Sequence, residues 1–437
     1  MTAGTRAGTP SLTWRTVSTA GGLVLGSAAH VAQQAAVLGF LGHLGGPALY
    51  LRSLYTPFGM LSLAIGEGLV VAVQVTASSA AARGGSRDGR GTIGGPVVAM
   101  TVLGAGGFVL VASGMWAFGQ PLAAALGVPQ PQRADAVVFL VAMVAAQCAL
   151  LLPALAGGVL RGLGRTHVSG VLAVGETLLV VATVYGVHAV SGLTELSVPV
   201  GTAAVGLCCG VLAWGVVGRA GVRPARPALS EPTWQVLRQV ALPIGASYLV
   251  LSGTALGYLW LLREAGPVDV AAFGVVQTLQ ALVLLPAIAI GSATAITTTL
   301  AGDVPRTAAL GLALRVALPT YLVVAGALLG ARDLVVGALV DAPDVHAAAV
   351  GYLAVLGPPY LLLGTTLAVL TYLEQSGDAT AALLVNAGFF GALLLVGAAQ
   401  PAPLHAGALT AIVAWAQLPG FVLVLGCATW LVGRRPA

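Results

Sequence analysis

The sequence predicts an all-α integral membrane protein with twelve transmembrane helices in two parallel six-helix repeats. The first observation is composition, because 58% of the 437 residues are hydrophobic and 8% are charged. The second is spacing, because twelve apolar runs of helical length follow one another along the chain. The third is charge, because most arginines fall in alternate gaps between these runs. The mean hydropathy of +0.96 agrees with a chain that lies mostly in lipid.

Each apolar run is long enough to cross a bilayer. A hydrocarbon core of ~30 Å needs roughly 20 helical residues. The longest gap, about 219 to 237, leaves no room for a soluble domain of ordinary size. We interpret the first run as a retained helix, because it is longer than the apolar part of a typical signal peptide. The runs are approximately 17 to 42, 53 to 82, 93 to 119, 134 to 160, 168 to 190, 196 to 218, 238 to 262, 268 to 300, 308 to 331, 346 to 373, 379 to 400 and 404 to 432.

The arginines predict the orientation. All 19 basic residues are arginine, and with a cytoplasmic N-terminus 15 of them fall in cytoplasmic segments. Four arginines remain on the other side: Arg52, Arg133, Arg263 and Arg332. The positive-inside rule therefore places both termini in the cytoplasm. The net charge of +5 reflects this bias rather than nucleic-acid binding. The lysine-free composition, rich in Ala, Gly and Val, indicates a high-GC bacterial genome, so we expect the protein in a bacterial inner (plasma) membrane.

The chain divides into two halves that repeat each other. We predict a cytoplasmic tail (1–16), a six-helix lobe (17–218), a cytoplasmic linker (219–237), a second six-helix lobe (238–432) and a short tail (433–437). Because six is even, both halves begin on the same side of the membrane, as parallel repeats do. Three segment pairs match: Ala64–Glu67 with Ala289–Ser292, Gly46-Pro47 with Gly266-Pro267, and Leu160–Thr166 with Leu373–Ala379.

Two acidic residues are candidates for ion coupling. Among the 14 acids, only Glu67 and Glu176 lie well inside apolar runs, and the second half has none so placed. A charge at a helix centre costs roughly 2.5 to 3.5 kcal/mol, so such an acid is a functional candidate. Glu67 is flanked by Gly66 and Gly68, which admit a neighbouring backbone or water. Either acid could instead stay protonated and hydrogen-bond within its lobe.

The first helix carries a third candidate. His30, Gln33 and Gln34 have the spacing of one helix face. His30 lies near mid-membrane, where a neutral imidazole can accept a proton. A single membrane histidine also serves as a hydrogen-bonded packing residue, and this alternative stays open.

The chain resembles the multidrug and toxic compound extrusion (MATE) transporters, within the superfamily that includes polysaccharide and lipid-linked oligosaccharide flippases. The resemblance covers nearly the whole sequence. It is carried by Gly42-His43-Leu44-Gly45, Leu160–Thr166, Ala241-Leu242-Pro243, and the outer segments Leu122–Arg133 and Leu334–His346. It implies two lobes forming a V, a central cavity, and export by alternating access driven by protons or sodium. Many bacterial members have an aspartate before the glycine at Gly42, whereas this chain reads Ala35-Ala36-Val37-Leu38.

A substrate cavity between the lobes should be lined from both sides. Aromatic faces suit organic cations and flat ring systems, although Trp and Tyr near helix ends also anchor at the interface. The candidates are polar or aromatic residues inside the apolar runs: Gln33, Gln34 and Gln74 in the first half, and Tyr258, Trp260, Gln277, Gln280, Asn386, Trp415 and Gln417 in the second.

These patterns predict an antiporter rather than an enzyme. The sequence has no P-loop, no His-x-x-x-His zinc pair and no Asp-rich diphosphate cluster, and its four cysteines lack metal-ligand spacing. We therefore expect no cofactor or metal, and a functional monomer whose partners are a small molecule and the bilayer. The expected activity is export of amphipathic, cationic or aromatic molecules, with protons favoured over sodium. One alternative is a flippase for a lipid-linked saccharide, which is disfavoured because no arginine lies deep in an apolar run. The other is a membrane component of a biosynthetic pathway without transport activity.

Overall fold

The computed structural model describes residues 12–44, 46–83, 93–125, 130–223, 225–262, 265, 267–301, 304–339, 343–401 and 404–434. Within these ranges the chain is helical and contains no strand. Six helices form the first half: α1 (Leu12–Leu44), α2 (Gly46–Arg83), α3 (Gly94–Ala125), α4 (Arg133–Gly162), α5 (Thr166–Ser191) and α6 (Ser197–Arg219). A 3-10 turn (Gln130–Gln132) precedes α4.

The second half repeats this order. Helix α7 (Leu242–Leu261) follows a short helix (Glu231–Val236) and a π-helical turn (Leu237–Ala241). Helix α10 has two pieces (Pro343–Leu356 and Tyr360–Leu373) and is followed by a π-helical turn (Glu374–Asp378). A short helix (Arg332–Gly337) precedes α10. The other helices are α8 (Pro267–Ala301), α9 (Arg306–Gly330), α11 (Ala379–Ala398) and α12 (Ala406–Arg434).

The predicted fold class is confirmed, since the described helices make twelve crossings in two halves. We call the end of the bundle where residues 220–230 join the halves the linker face, and the opposite end the far face. Nine described stretches are long and apolar enough to span a membrane. One of them, Tyr360–Ala398, covers two crossings, because the chain reverses at Gly377. Shorter apolar stretches lie at 28–41 in α1, 283–299 in α8 and 343–356 in α10.

The halves use matching helix contacts. In the first half, Gly158 and Gly162 of α4 face the carbonyl oxygens of Val70 and Gln74 on α2. In the second half, Gly291 of α8 faces the carbonyl oxygen of Ala368 on α10. Helices α2 and α4 occupy the positions that α8 and α10 occupy in the repeat. Small residues allow this close backbone packing in both halves.

Two glycines mark the same turn in each half. Gly164, after α4, has φ +77°, and Gly377, after α10, has φ +96°. Both values lie in the left-handed region that other residues adopt at a cost. The two glycines occupy matched places in the predicted repeat of Leu160–Thr166 with Leu373–Ala379. Backbone conformation therefore supports a repeat that was inferred from residue identities.

Helix α8 contains Pro286, and a tyrosine fills the gap in its hydrogen-bond ladder. The Tyr321 hydroxyl of α9 donates to the Val283 carbonyl oxygen over 2.7 Å and accepts from the Ala287 amide over 2.8 Å. Proline in a helix interior frees backbone groups, which need new partners in a membrane. The Tyr321 side chain is fully buried and satisfies both groups.

Two sequence predictions need correction, and some predicted features lie outside the described residues. Helix α2 begins at Gly46 rather than at residue 53, so Arg52 lies inside a helix rather than in a loop. The expectation that the second half lacks a buried acid is wrong, because the Asp378 side chain is only 3% exposed. Most of the predicted N-terminal tail lies outside the described residues, as do Gly45, Arg263 and Gly266.

Candidate functional site

The two halves meet closely where α2 crosses α7. A Cβ atom on Gly68 would lie 2.5 Å from the Ala241 carbonyl oxygen. In return, a Cβ atom on Gly245 would lie 2.7 Å from the Ala64 carbonyl oxygen. Only glycine fits at both positions, so the two backbones are in direct contact. This crossing joins the halves in the part of the bundle nearer the linker face.

A chain of amides extends the contact toward the linker face. Gln74 Nε2 of α2 donates to Gln375 Oε1 over 2.9 Å, and Gln375 Nε2 donates to Ser292 Oγ of α8 over 2.6 Å. Gln74 is 3% exposed, so in this conformation its amide serves the interface between the halves. The Thr16 hydroxyl of α1 and the Thr297 hydroxyl of α8 lie 2.9 Å apart and add a further hydrogen bond between the halves.

Charged side chains surround this interface. Glu67 lies beside Gly68, and its charge acts on Arg161 of α4 and on Tyr248 of α7. The Arg161 Nε atom is buried without a hydrogen-bond partner. In the described part of the chain, the Glu67 carboxylate makes no hydrogen bond or ion pair within normal contact distance. Glu67 and Arg161 are therefore linked through space at the boundary between halves.

The second half places an acid opposite this pair. Glu374, in the π-helical turn after α10, lies with its Oε1 atom 3.5 Å from Ser247 Oγ of α7. Its charge also acts on Tyr248, the tyrosine on which Glu67 acts. One half-buried tyrosine thus lies near a carboxylate from each half.

The predicted residues of α1 have different surroundings. His30 has an exposed side chain, and the charge of Glu67 acts on it. Gln33 is buried, at 4% exposure. Gln34 Oε1 accepts a 2.7 Å hydrogen bond from Arg52 Nη2, and the Arg52 guanidinium lies 5.4 Å from the centre of the Tyr55 ring.

Glu176 lies apart from the contact between halves. It is half-buried on α5, and its charge acts on Cys209 of α6. No interaction between Glu176 and Glu67 occurs among the described residues. The structure therefore brings Glu67 and His30 together and leaves Glu176 inside the first half.

The predicted substrate residues of the second half are dispersed. Tyr258 is buried and meets the Phe273 ring edge-on, with centroids 5.8 Å apart. Gln280 has a buried Oε1 atom without a hydrogen-bond partner. Gln277 and Asn386 are half-buried, Trp260 and Trp415 are exposed, and Gln417 is buried and donates to the Val413 carbonyl oxygen.

Sequence reasoning missed the residues that meet across the interface. Glu374 and Arg161 were assigned to helix ends or loops, and Ser247, Tyr248 and Gln375 were not among the candidate site residues. One signal was present, because the repeat aligns Arg161 with Glu374 and Glu67 with Ser292. Each aligned pair occupies equivalent positions in the two halves, near the linker face. Among the described residues, no group of three His, Cys, Asp or Glu side chains is arranged to hold a metal ion.

Comparison with solved structures identifies the fold. The Vibrio cholerae MATE transporter VcmN, in a mutant form, superposes with a TM-score of 0.84 at 16% identity, over 97% of this chain and 98% of that one. A MOP superfamily transporter from Pyrococcus furiosus, described as having a binding pocket of reverse polarity, gives 0.81 at 15% identity, over 97% of both chains.

A third structure shows a multidrug resistance MATE family transporter of the MOP superfamily in an outward-facing conformation. It gives a TM-score of 0.80 at 15% identity, over 97% of both chains. The chain matches no protein-family model and no curated protein sequence. The full-length superpositions, together with the twelve crossings and the repeat, establish a multi-pass membrane protein with the fold of the MATE transporters of the MOP superfamily.

Proposed function

We propose that this protein is a secondary active exporter that moves amphipathic, cationic or aromatic molecules out of the cytoplasm in exchange for protons. The observation that carries the proposal is the contact between the repeated halves at Gly68 and Gly245. Alternating access requires an interface that has two discrete arrangements. A close backbone contact that two glycines permit, bordered by polar side chains, is a surface that can separate as a unit.

The arginine distribution supports a cytoplasmic linker face. With that orientation, the contacts at Gly68, Gln74 and Thr16 close the cytoplasmic side. The V would then open away from the cytoplasm, as in the outward-facing structure to which this fold is similar. In this state, we expect substrate to leave and protons to enter.

Protons fit the surroundings of Glu67 better than sodium does. A sodium ion needs several oxygen ligands, and the Arg161 guanidinium beside Glu67 would repel it. A proton instead removes the charge of the carboxylate. His30 is near enough to take part, and Glu176 is a separate acid of the same half. We propose that Glu67 is the principal coupling residue, with His30 and Glu176 contributing.

Transport into proteoliposomes tests the proposal. A panel of cationic and aromatic dyes should move against its gradient when a pH gradient is imposed, and an uncoupler should abolish the movement. Glu67→Gln should lose substrate-induced proton release, because the amide resembles the protonated acid but cannot ionise. Glu231→Gln is the matched control, since Glu231 is an exposed acid at the linker face. Unchanged proton release in Glu67→Gln and Glu176→Gln would move the coupling site elsewhere.

A flippase for a lipid-linked saccharide is the second candidate, and one observation favours it. Arg52 lies within α2, with its guanidinium bonded to Gln34 of α1. Arginine is well suited to bind phosphate groups of a lipid carrier. In that case, Arg52→Gln would stop movement of a lipid-linked diphosphate between leaflets, and the dye panel would give no signal with wild type.

A further inference from the structure

We propose that Glu374 is a second proton-binding carboxylate, contributed by the second half, and that closing the linker face assembles Glu67, Tyr248 and Glu374 into one site. This inference rests on the proposed function and names a residue of the coupling machinery outside the apolar runs. The proton taken up in the closed state would leave toward the linker face when the halves part.

The position of Glu374 depends on the interface. Its neighbour Gln375 is hydrogen-bonded to Gln74 of the first half and to Ser292 of α8. Glu374 itself reaches Ser247 of α7, close in sequence to the Gly245 contact with α2. If α2 moves away from α7, the π-helical turn loses Gln74 and the nearby charge of Glu67, whereas Ser247 and Ser292 stay with the second half. The surroundings of Glu374 must therefore change between the two arrangements.

The charges around the interface do not balance. Glu67 and Glu374 each act on Tyr248, and Arg161 acts with Glu67. Two carboxylates and one guanidinium leave one negative charge in excess. A single proton makes the cluster neutral. Because charges interact strongly where water is excluded, this proton stabilises the closed arrangement.

Other ionisable groups near the site do not supply the missing positive charge. Arg238, in the π-helical turn before α7 that packs against the turn of Glu374, is exposed to solvent, which screens its charge. Asp378 of the same turn is paired with Arg306 of α9, with Nη1 and Oδ2 2.7 Å apart. His30 of α1 approaches from the side of Glu67. Tyr372 of α10 lies near the Arg306–Asp378 pair. Opening the interface admits water to Glu374, which offsets the excess charge and allows the proton to leave.

Distance measurement across the linker face tests the inference. Spin labels at Ala82→Cys on α2 and Thr380→Cys on α11, two exposed positions, report the separation of the halves in a cysteine-free protein in lipid nanodiscs. Wild type should populate a short distance at acidic pH and a longer one as the pH rises. Glu374→Gln should keep the short distance at every pH. Glu374→Asp should retain a pH response with a shifted midpoint, and the exposed-acid control Glu231→Gln should behave as wild type.

Two results would overturn the inference: a wild-type distance that does not change with pH, or a Glu374→Gln protein that follows the wild-type titration. Tyr248→Phe provides a second variant, which should shift the midpoint without removing the response. Proton-driven export is measured in parallel. If wild type exports substrate with protons and Glu374→Gln still follows the wild-type distance titration, the proposed function stands and the role of Glu374 is rejected. If Glu374→Gln loses the pH-dependent distance change but wild type shows no proton-driven export, the Glu374 site is supported and the proposed function is rejected.

Discussion

The ring of Tyr321 lies directly against the backbone of Gly364. A Cβ atom on Gly364 would overlap that ring, so α9 and α10 pack here only because the side chain is absent. The same tyrosine supplies the hydroxyl that completes the backbone of α8 beyond Pro286. Three helices of the second half therefore depend on one glycine and one tyrosine.

Replacing these residues should destabilise the second half. Tyr321→Phe leaves the Ala287 amide and the Val283 carbonyl without the hydroxyl, which we expect to cost about 1 to 3 kcal/mol. Gly364→Ala forces the ring to move, with a similar cost expected of about 1 to 3 kcal/mol. Thermal unfolding in detergent measures both. Gly351→Ala, on the same helix with open space around it, should unfold as wild type.

The α2–α7 crossing should respond to a single methyl group. Gly68→Ala and Gly245→Ala place a Cβ atom against a backbone oxygen, so both should push the halves apart at the linker face. The spin-label distance across that face should lengthen, and export should fall. Gly66→Ala adds the same methyl group to α2 where nothing lies within 4 Å, and should leave distance and export unchanged.

The amides of Gln74 and Gln375 should be energetically coupled. Each of Gln74→Leu and Gln375→Leu leaves the partner's amide without its hydrogen bond, while the double variant removes both groups. We expect a coupling energy of about 1 kcal/mol in a double-mutant cycle of unfolding free energies. Strict additivity would show that the amides do not depend on each other for their stability contribution.

The Arg306–Asp378 pair should stabilise the turn after α10. Removing one partner of a buried ion pair leaves a charge without compensation, which costs roughly 3 to 5 kcal/mol. Because Arg306 is 33% exposed, Asp378→Asn should cost less than this range. Urea unfolding of the detergent-solubilised protein gives the value. Asp333→Asn, in an exposed pair with a 3.9 Å separation, should have almost no effect.

The orientation can be tested with two matched serines. Ser230 is exposed at the linker face, and Ser191 is exposed at the far face. In a cysteine-free background, an impermeant thiol reagent applied to intact cells should label Ser191→Cys and spare Ser230→Cys. Permeabilised cells should label both. The reverse pattern in intact cells would place the termini outside the cytoplasm.

The helices were predictable because lipid imposes a length and an apolar composition on every crossing. The repeat was predictable from matching segments, and the structure shows that matched Gly164 and Gly377 share an unusual backbone conformation, which keeps glycine at both places. The interface was not, because hydrophobicity does not distinguish a helix face toward lipid from one toward another helix. Gln74 was chosen for polarity, yet its partner Gln375 lies in a turn that periodicity assigned to a loop. Glu374 was missed because the sequence shows only that it lies at a helix end, whereas the fold places that helix end at the interface between the halves.

The left-handed turns at Gly164 and Gly377 also fix the rotational phase of the helices that follow them. An α-helix advances about 100° per residue, so one residue inserted before Gly377 would rotate every side chain of α11 by that angle. Residues that now face α12 would turn toward lipid. Insertions and deletions should therefore occur mainly in the far-face connections and be absent from these two turns, because the turns set the rotation of the helices that follow.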